Sequence, residues 1–340
     1  MKNKNFVNQH PIVKYGKTGI LLVNLGTPDS TSWWDVRRYL KEFLSDRRVI
    51  EVNPILWQII LNCFILTFRP SKSAHAYKQI WMNEINESPL RYYTNLQTKK
   101  LNEKVSSENV IVDFAMRYGN PSIKSKLLLL KDKGCENIIV LPLYPQYAAA
   151  TTATVCDEVY RNLMKMRWQP SLQIIPHYES EPLYIDALIN SIKKKMLKIK
   201  WKPDLIIASY HGIPKEYFDK GDPYQCYCQK TTRLMKEKFQ DVLIETTFQS
   251  RFGPREWLKP YTDKTLESLP KKGKKNILMI SPGFSSDCVE TLEELNIQGR
   301  ESFMKNGGIN FDYVPCLNDD ENHISLLEKL VKDYLVLKTK

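Results

Sequence analysis

Two stretches of this sequence carry groups able to move protons or hold a metal. The first is Asp204-Leu205-Ile206-Ile207-Ala208-Ser209-Tyr210-His211-Gly212-Ile213-Pro214, an apolar run that empties into a histidine and is broken by Gly212 and Pro214. Such a run, bounded by turn residues, reads as a strand buried on both faces. His211 then lies just past its carboxyl end, where open parallel α/β sheets bind ligands. A lone histidine there more often only bonds a loop carbonyl. The second stretch shifts that balance. Asn276-Ile277-Leu278-Met279-Ile280 ends in Ser281-Pro282-Gly283-Phe284, and a helix opening with carboxylates follows. Glu290, Glu294 and Gln298 recur at i, i+4 and i+8, which predicts one shared helical face. A histidine and a glutamate at two strand ends suit a mixed nitrogen and oxygen metal site, or a proton-transfer pair. The bland alternative is acids favouring the positive end of a helix. It covers Glu290 and Glu293 but not Gln298.

The elements that must position these groups alternate between strand and helix. Apolar runs predict strands at 20–25, 110–116, 138–141, 172–175, 205–210, 242–248, 276–280 and 310–314. Between them, 3.6-residue periodicity predicts helices, among them one with Val36, Tyr39, Leu40, Phe43 and Leu44 on one face. Others are expected at 90–105, 122–133, 182–197, 225–239, 262–269 and 322–337, with Thr151 or Thr152 capping one more. Residues 77–90 read as loop-rich. The alternation implies α/β architecture: two Rossmann-like halves, each a parallel sheet flanked by helices, with a cleft between them. The expected boundaries are 18–165 for the first half, 166–317 for the half carrying His211 and Glu290, and 318–340 for a C-terminal helix packing back on the first half. No internal sequence repeat marks the duplication.

Composition narrows the function. The 340 residues carry a net charge of +12, and 42% are hydrophobic, enough for a packed core. Scattered lysines on helices account for most of the charge. No zinc-finger, RNP-type or heptad pattern supports nucleic-acid binding. No G-x-G-x-x-G or P-loop motif follows a strand. Seven cysteines, an odd number, with no apolar leader in residues 1–17, predict reduced thiols and a cytoplasmic protein. Cys226 and Cys228 are too few ligands for structural zinc. The most apolar segment, about 55–70, is short for a membrane span and suits a buried helix or an interfacial lip. There Arg69 and Lys72 are placed to meet lipid phosphates. The strand ends deliver Leu25, Arg117, Tyr118, Tyr144, Tyr147, His211, Phe284 and Glu290, an aromatic-walled site for a large flat anionic ligand.

Five ordered motifs carry a resemblance: Leu22-Val23-Asn24-Leu25-Gly26-Thr27-Pro28, Met116-Arg117-Tyr118-Gly119-Asn120-Pro121, Tyr144-Pro145-Gln146-Tyr147, Ser209-Tyr210-His211-Gly212-Ile213-Pro214 and Phe284-Ser285-Ser286-Asp287-Cys288-Val289-Glu290-Thr291-Leu292. From about Gly19 to Asp319 the chain resembles the ferrochelatases, lyases that insert Fe2+ into protoporphyrin IX at the last step of haem biosynthesis. The resemblance implies a chelatase-type fold. It implies that His211 is the essential histidine, metal ligand or base, and that Glu290 is the carboxylate across the cleft. Glu294 would extend a line of acids passing metal or protons. Gln298 departs from that line, where an acid is common. Leu25, Arg117, Tyr118, Tyr147, Trp257 and Phe284 would contact the porphyrin. Cys288 stands where a second histidine is frequent and receives no role. Fe2+ is expected as substrate, with no permanent cofactor. Cys316 is the sole cysteine after Cys288, which argues against a [2Fe-2S] cluster of the family type. Expected partners are protoporphyrin IX, Fe2+ and membrane lipid at the inner face of the cytoplasmic membrane, with the chain a monomer or homodimer. The alternatives within this resemblance are a coproporphyrin or cobalt chelatase, or a tetrapyrrole carrier without catalysis.

Overall fold

A computed structural model describes residues 13–336. The expected leaderless character of residues 1–17 falls largely outside that range. So does the last residue of the expected 322–337 helix. The strands are β1 (Lys17–Thr27), β2 (Val110–Gly119), β3 (Cys135–Pro142), β4 (Ser171–Ile174), β5 (Leu205–His211), β6 (Ile244–Gln249), β7 (Asn276–Ile280) and β8 (Asn310–Tyr313). They form two four-stranded sheets, ordered β2-β1-β3-β4 and β6-β5-β7-β8. Every pairing within them is parallel. The two orders are the same topology used twice, though no sequence repeat announces it. In each, the chain reverses its direction of progress between the first and third strands. That switch leaves a crevice at their carboxyl ends. β1 with β3, and β5 with β7, therefore point their following loops at a binding region.

The central strands are apolar because helices cover both faces. Ile20, Leu21, Leu22 and Val23 of β1, and Ile206, Ile207 and Ala208 of β5, have no exposed surface. Truncating such an isoleucine or leucine to alanine costs about 2–5 kcal/mol. The Glu321–Val336 helix packs against both the Pro89–Val105 and Pro182–Met196 helices.

Four expectations are corrected. β4 hydrogen-bonds to β3, so the first sheet runs past the expected 165/166 boundary. Alternation of strand and helix does not say which sheet a strand joins. Residues 77–80 are helical: a helix spans Leu66–Ile80, and its buried residues Leu66, Pro70, Ala74, Tyr77 and Ile80 make one face. Intervening serines and lysines hid that periodicity. Thr151 and Thr152 do not cap a helix. Ala149–Ala153 is a π-helical turn feeding directly into the Thr154–Leu163 helix, and the Thr151 hydroxyl donates to the Ala148 carbonyl instead. Finally, Glu290–Gly299 is π-helical. Its i→i+5 bonding places more residues in each turn than an α-helix, so i, i+4 and i+8 drift around the axis. Gln298 is accordingly exposed and donates to Glu293 at 2.5 Å, away from the expected line.

The apolar segment is also a continuous helical run. Asn53 caps the Pro54–Ile60 helix by accepting from the Ile55 and Leu56 N–H groups, and a π turn at Leu61–Ile65 leads on. Among the described residues, no helix is long and apolar enough to cross a membrane.

Candidate active site

His211 ends β5 and is half-buried. Its Nδ1 lies 2.6 Å from the Gly212 carbonyl oxygen. A carbonyl only accepts, so Nδ1 carries the hydrogen, and in the neutral ring Nε2 keeps its lone pair. The loop-carbonyl bond expected of an ordinary core histidine is present, and it also selects the reactive tautomer. Gly212 is required beside it. A Cβ there would lie 2.9 Å from the Gln249 carbonyl oxygen and 3.2 Å from the Trp257 ring. Gly26, at the end of β1, has φ +118°, and a Cβ would sit 1.8 Å from the Tyr118 carbonyl oxygen.

The carboxylates come from the π-helix after β7. Glu294 Oε1 accepts from the Ser250 N–H at 2.7 Å, and its other oxygen from the Ser250 hydroxyl. Ser250 adopts φ +64°, uncommon for a residue with a side chain. Gln249 donates to the Glu290 carbonyl at 2.8 Å. The end of β6 thus seats both turns of the helix. Burial pushes the Glu294 carboxyl up; the Ser250 bonds and the nearby His211 pull it down, while Glu290 pushes it up again. His211 and Glu290 thus both act electrostatically on the Glu294 carboxyl.

Other neighbours of Glu290 were not legible in the sequence. Tyr39 and Tyr77 are buried in edge-to-face contact, with ring centroids 6.3 Å apart. Burial raises both phenols far above their ordinary range, and the Glu290 charge adds to this. Arg69, expected to meet lipid phosphates, is turned inward. Its guanidinium lies over the Phe252 ring at 5.4 Å, and its burial is opposed by the attraction of Glu290. The Leu66–Ile80 helix that carries Arg69 packs against the π-helix. Cys288 is buried, and the nearby Glu290 charge adds to burial in raising its thiol. Burial keeps that thiol protonated.

The remaining nominated residues distribute unequally. Leu25, Tyr147 and Phe284 are half-buried at the ends or following loops of β1, β3 and β7. Trp257 is buried, its indole donating to the Phe252 carbonyl at 3.0 Å. Arg117 is held by Asp46 and donates to the Thr154 carbonyl at 2.8 Å, so it is not a free cation. Tyr118 has no exposed surface. Its hydroxyl donates to Asp46 at 3.0 Å, and its ring lies 4.3 Å beneath the Arg117 guanidinium. It backs the wall rather than lining it. A cavity of about 920 Å³ opens beside Arg117, lined also by Asp46, Arg48, Glu51 and Asp157. Among the described residues, no three His, Cys, Asp or Glu side chains form a ready metal cage.

The family model for ferrochelatase matches residues 17–335. The chain belongs to the ferrochelatase family. It is 55% identical over 328 residues to the ferrochelatase of Rhizobium meliloti (strain 1021), covering 95% of this chain and 96% of that one. It is 52% identical over 329 residues to the ferrochelatase of Francisella tularensis subsp. tularensis (strain WY96-3418), covering 96% and 98%. Among solved structures, SirB from Bacillus subtilis with Fe3+ matches with a TM-score of 0.58 at 10% identity, covering 93% of this chain and 95% of that one. At that identity the likeness speaks for the bilobal fold alone. As a ferrochelatase, the chain is a lyase that inserts Fe2+ into protoporphyrin IX, with iron as a substrate of the reaction.

Proposed function

We propose that His211, Glu290 and Glu294 carry out this insertion, giving protohaem and releasing two protons. A planar porphyrin holds its nitrogen lone pairs in the ring plane. Metal entry needs the ring bent and two N–H protons removed. Leu25, Tyr147, Trp257 and Phe284 form the apolar walls. Rigid walls favour the bent ring by binding it better than the flat one. His211 Nε2 accepts a pyrrole proton or holds Fe2+ briefly; both roles use the same lone pair. Glu290 faces it as carboxylate ligand or second proton acceptor. Glu294, with its raised affinity for a proton, passes protons outward. A two-residue ligand set also lets the metal leave for the ring.

The observation that carries this reading is the Nδ1–H bond of His211 to Gly212, which leaves Nε2 free, together with the electrostatic action of His211 and Glu290 on the Glu294 carboxyl. The test is an anaerobic single-turnover assay with Fe2+ and protoporphyrin IX, read by protohaem absorbance. A tetrapyrrole carrier would give none. Coproporphyrin run in parallel is expected to turn over far more slowly. Of the arginines along the cavity beside Arg117, Arg48 is paired with Asp157, Arg117 with Asp46 and Arg161 with Glu158, so that Arg47 alone has no ion pair among the described residues, against the acids Glu42 and Glu51 in the same lining. Little positive charge is left for four propionates, which supports the two-propionate substrate. Residues Ile55, Leu56, Ile59, Phe64 and Phe68 are exposed along the lip. Together they make an apolar patch of the kind that seats on lipid. Peripheral contact with the cytoplasmic face of a membrane belongs to this reading.

A further inference from the structure

We propose that Gln97, Asn318 and Asp287 form a positioning relay that fixes the backbone entering the Glu290 helix, and so sets the reach of Glu290 toward the metal. The inference rests on the assignment of Glu290 to the metal path. Asp287 is buried just ahead of that helix. Its Oδ1 accepts from the Thr291 hydroxyl at 3.0 Å, the Tyr313 hydroxyl at 3.0 Å and the Cys316 N–H at 3.2 Å. Its Oδ2 accepts from the Asn318 amide at 2.7 Å. Asn318 answers through its Oδ1, which accepts the Asp287 N–H at 2.8 Å, while its own N–H donates to the Ser285 carbonyl at 3.0 Å. Asn318 does this from φ +44°, a region asparagine enters more readily than most residues.

Gln97 reaches the same loop from the other half of the molecule. Its side-chain amide nitrogen lies 2.9 Å from the Ser286 hydroxyl oxygen, 2.9 Å from the Asn318 carbonyl oxygen and 3.2 Å from the Ser285 carbonyl oxygen. All of these partners are buried. Gln97 Oε1 has no partner among the described residues, so Gln97 anchors the loop through its nitrogen alone; breaking a buried network of this kind is costly. Thr291 connects it to the first π turn: its hydroxyl donates to Asp287 and accepts from the Cys288 N–H at 3.0 Å. Glu290 is thus held between two anchors, the relay on one side and the Gln249 bond to its carbonyl on the other. The relay spans both sheets, so the position of the metal carboxylate is referred to the half that carries the opposite cleft wall.

An exchange experiment tests it. Asn318→Asp sets two carboxylates together, and Asp287→Asn sets two amides together. The double variant Asp287→Asn/Asn318→Asp restores one of each with the bond reversed. Each single variant is expected to lose at least about tenfold in kcat per folded molecule, the size seen when outer partners of metal ligands are removed. KM for porphyrin should stay near wild type, the acidic limb of the pH–kcat profile should move, and the double variant should recover most of the loss. Gln97→Met keeps the volume and is expected to show the same kcat loss should the singles fail to fold. Folded molecules are counted by titrating porphyrin binding through fluorescence quenching. Glu290→Gln is assayed alongside. If Glu290→Gln keeps full turnover, the site assignment itself falls. If Glu290→Gln is inactive while Gln97→Met keeps wild-type kcat and pH profile and loses only Tm, the relay is overturned.

Discussion

The side-chain amide of Gln249 donates to the backbone carbonyl of Glu290 at 2.8 Å, joining the end of β6 to the first turn of the π-helix. Because Ser250, the next residue, holds Glu294, the π-helix that carries both glutamates is tied by hydrogen bonds to the strand paired with the His211 strand. Most of what can be tested about the site follows from this.

His211→Ala should abolish iron insertion while porphyrin binding stays within a few-fold. The variant removes the free Nε2 and leaves the apolar walls. Loss of a general base or ligand costs about 10²-fold or more in rate. Stopped-flow protohaem formation and fluorescence titration of porphyrin separate the two quantities. Near-wild-type turnover would remove His211 from the mechanism.

Glu290→Gln should lower turnover strongly, and Glu294→Gln less. Small, equal effects would mean that these acids only favour the helix terminus. Glu294 also makes a distinct stability signature. Its folded carboxyl is pushed above the unfolded value, so the folded state binds more protons between the two values. Stability then falls as pH rises through that window. Glu294→Gln should therefore raise Tm at pH 8 relative to wild type, and the difference should shrink toward pH 4. A Tm unchanged at both pH values would contradict the buried charge.

His323 should set an acid limit on folding. It is buried, its Nδ1–H donating to the Asn318 carbonyl at 2.6 Å, and burial lowers it from 6.5 to about 4. The unfolded chain then binds the proton first as pH drops below about 6.5. Stability is full above that value and is lost progressively toward pH 4, by about 3 kcal/mol. His323→Asn keeps a donor to the carbonyl and should flatten this part of the stability–pH curve. Urea unfolding at pH 7, 5.5 and 4.5 measures it, and parallel curves for both proteins would count against the assignment.

The lip should carry membrane contact through Ile55, Phe64 and Phe68, which are 77%, 61% and 73% exposed. Trp57 is a poorer choice: its indole donates to the Leu44 carbonyl at 2.7 Å, and Ile60 is only half-exposed. Wild type should float with anionic liposomes, and the triple variant Ile55→Ser/Phe64→Ser/Phe68→Ser should not. Equal flotation of both would place the contact elsewhere.

The sequence by itself determined the local and the periodic. The Ile-rich runs at 205–210 and 276–280 could only be strands covered on both faces, so His211 and the Glu290 loop had to leave from strand ends. The alternation of elements required parallel sheets, and Gly212 and Pro214 marked where the His211 strand ends; that a Cβ at Gly212 would clash emerged only from the structure. What the sequence left open depends on contacts between segments far apart in the chain. β4 could join either sheet until it paired with β3. Arg69 looked like a surface cation until its helix packed over the Glu290 helix and turned it onto Phe252. Tyr118 carried a cleft motif but lost its exposure to a core built from the helices around it. The drift of Gln298 away from Glu290 and Glu294 needed the π-helical winding, which spacing read at an α-helical period misses. In each case the local pattern allowed two burial states of similar cost, and tertiary packing chose between them.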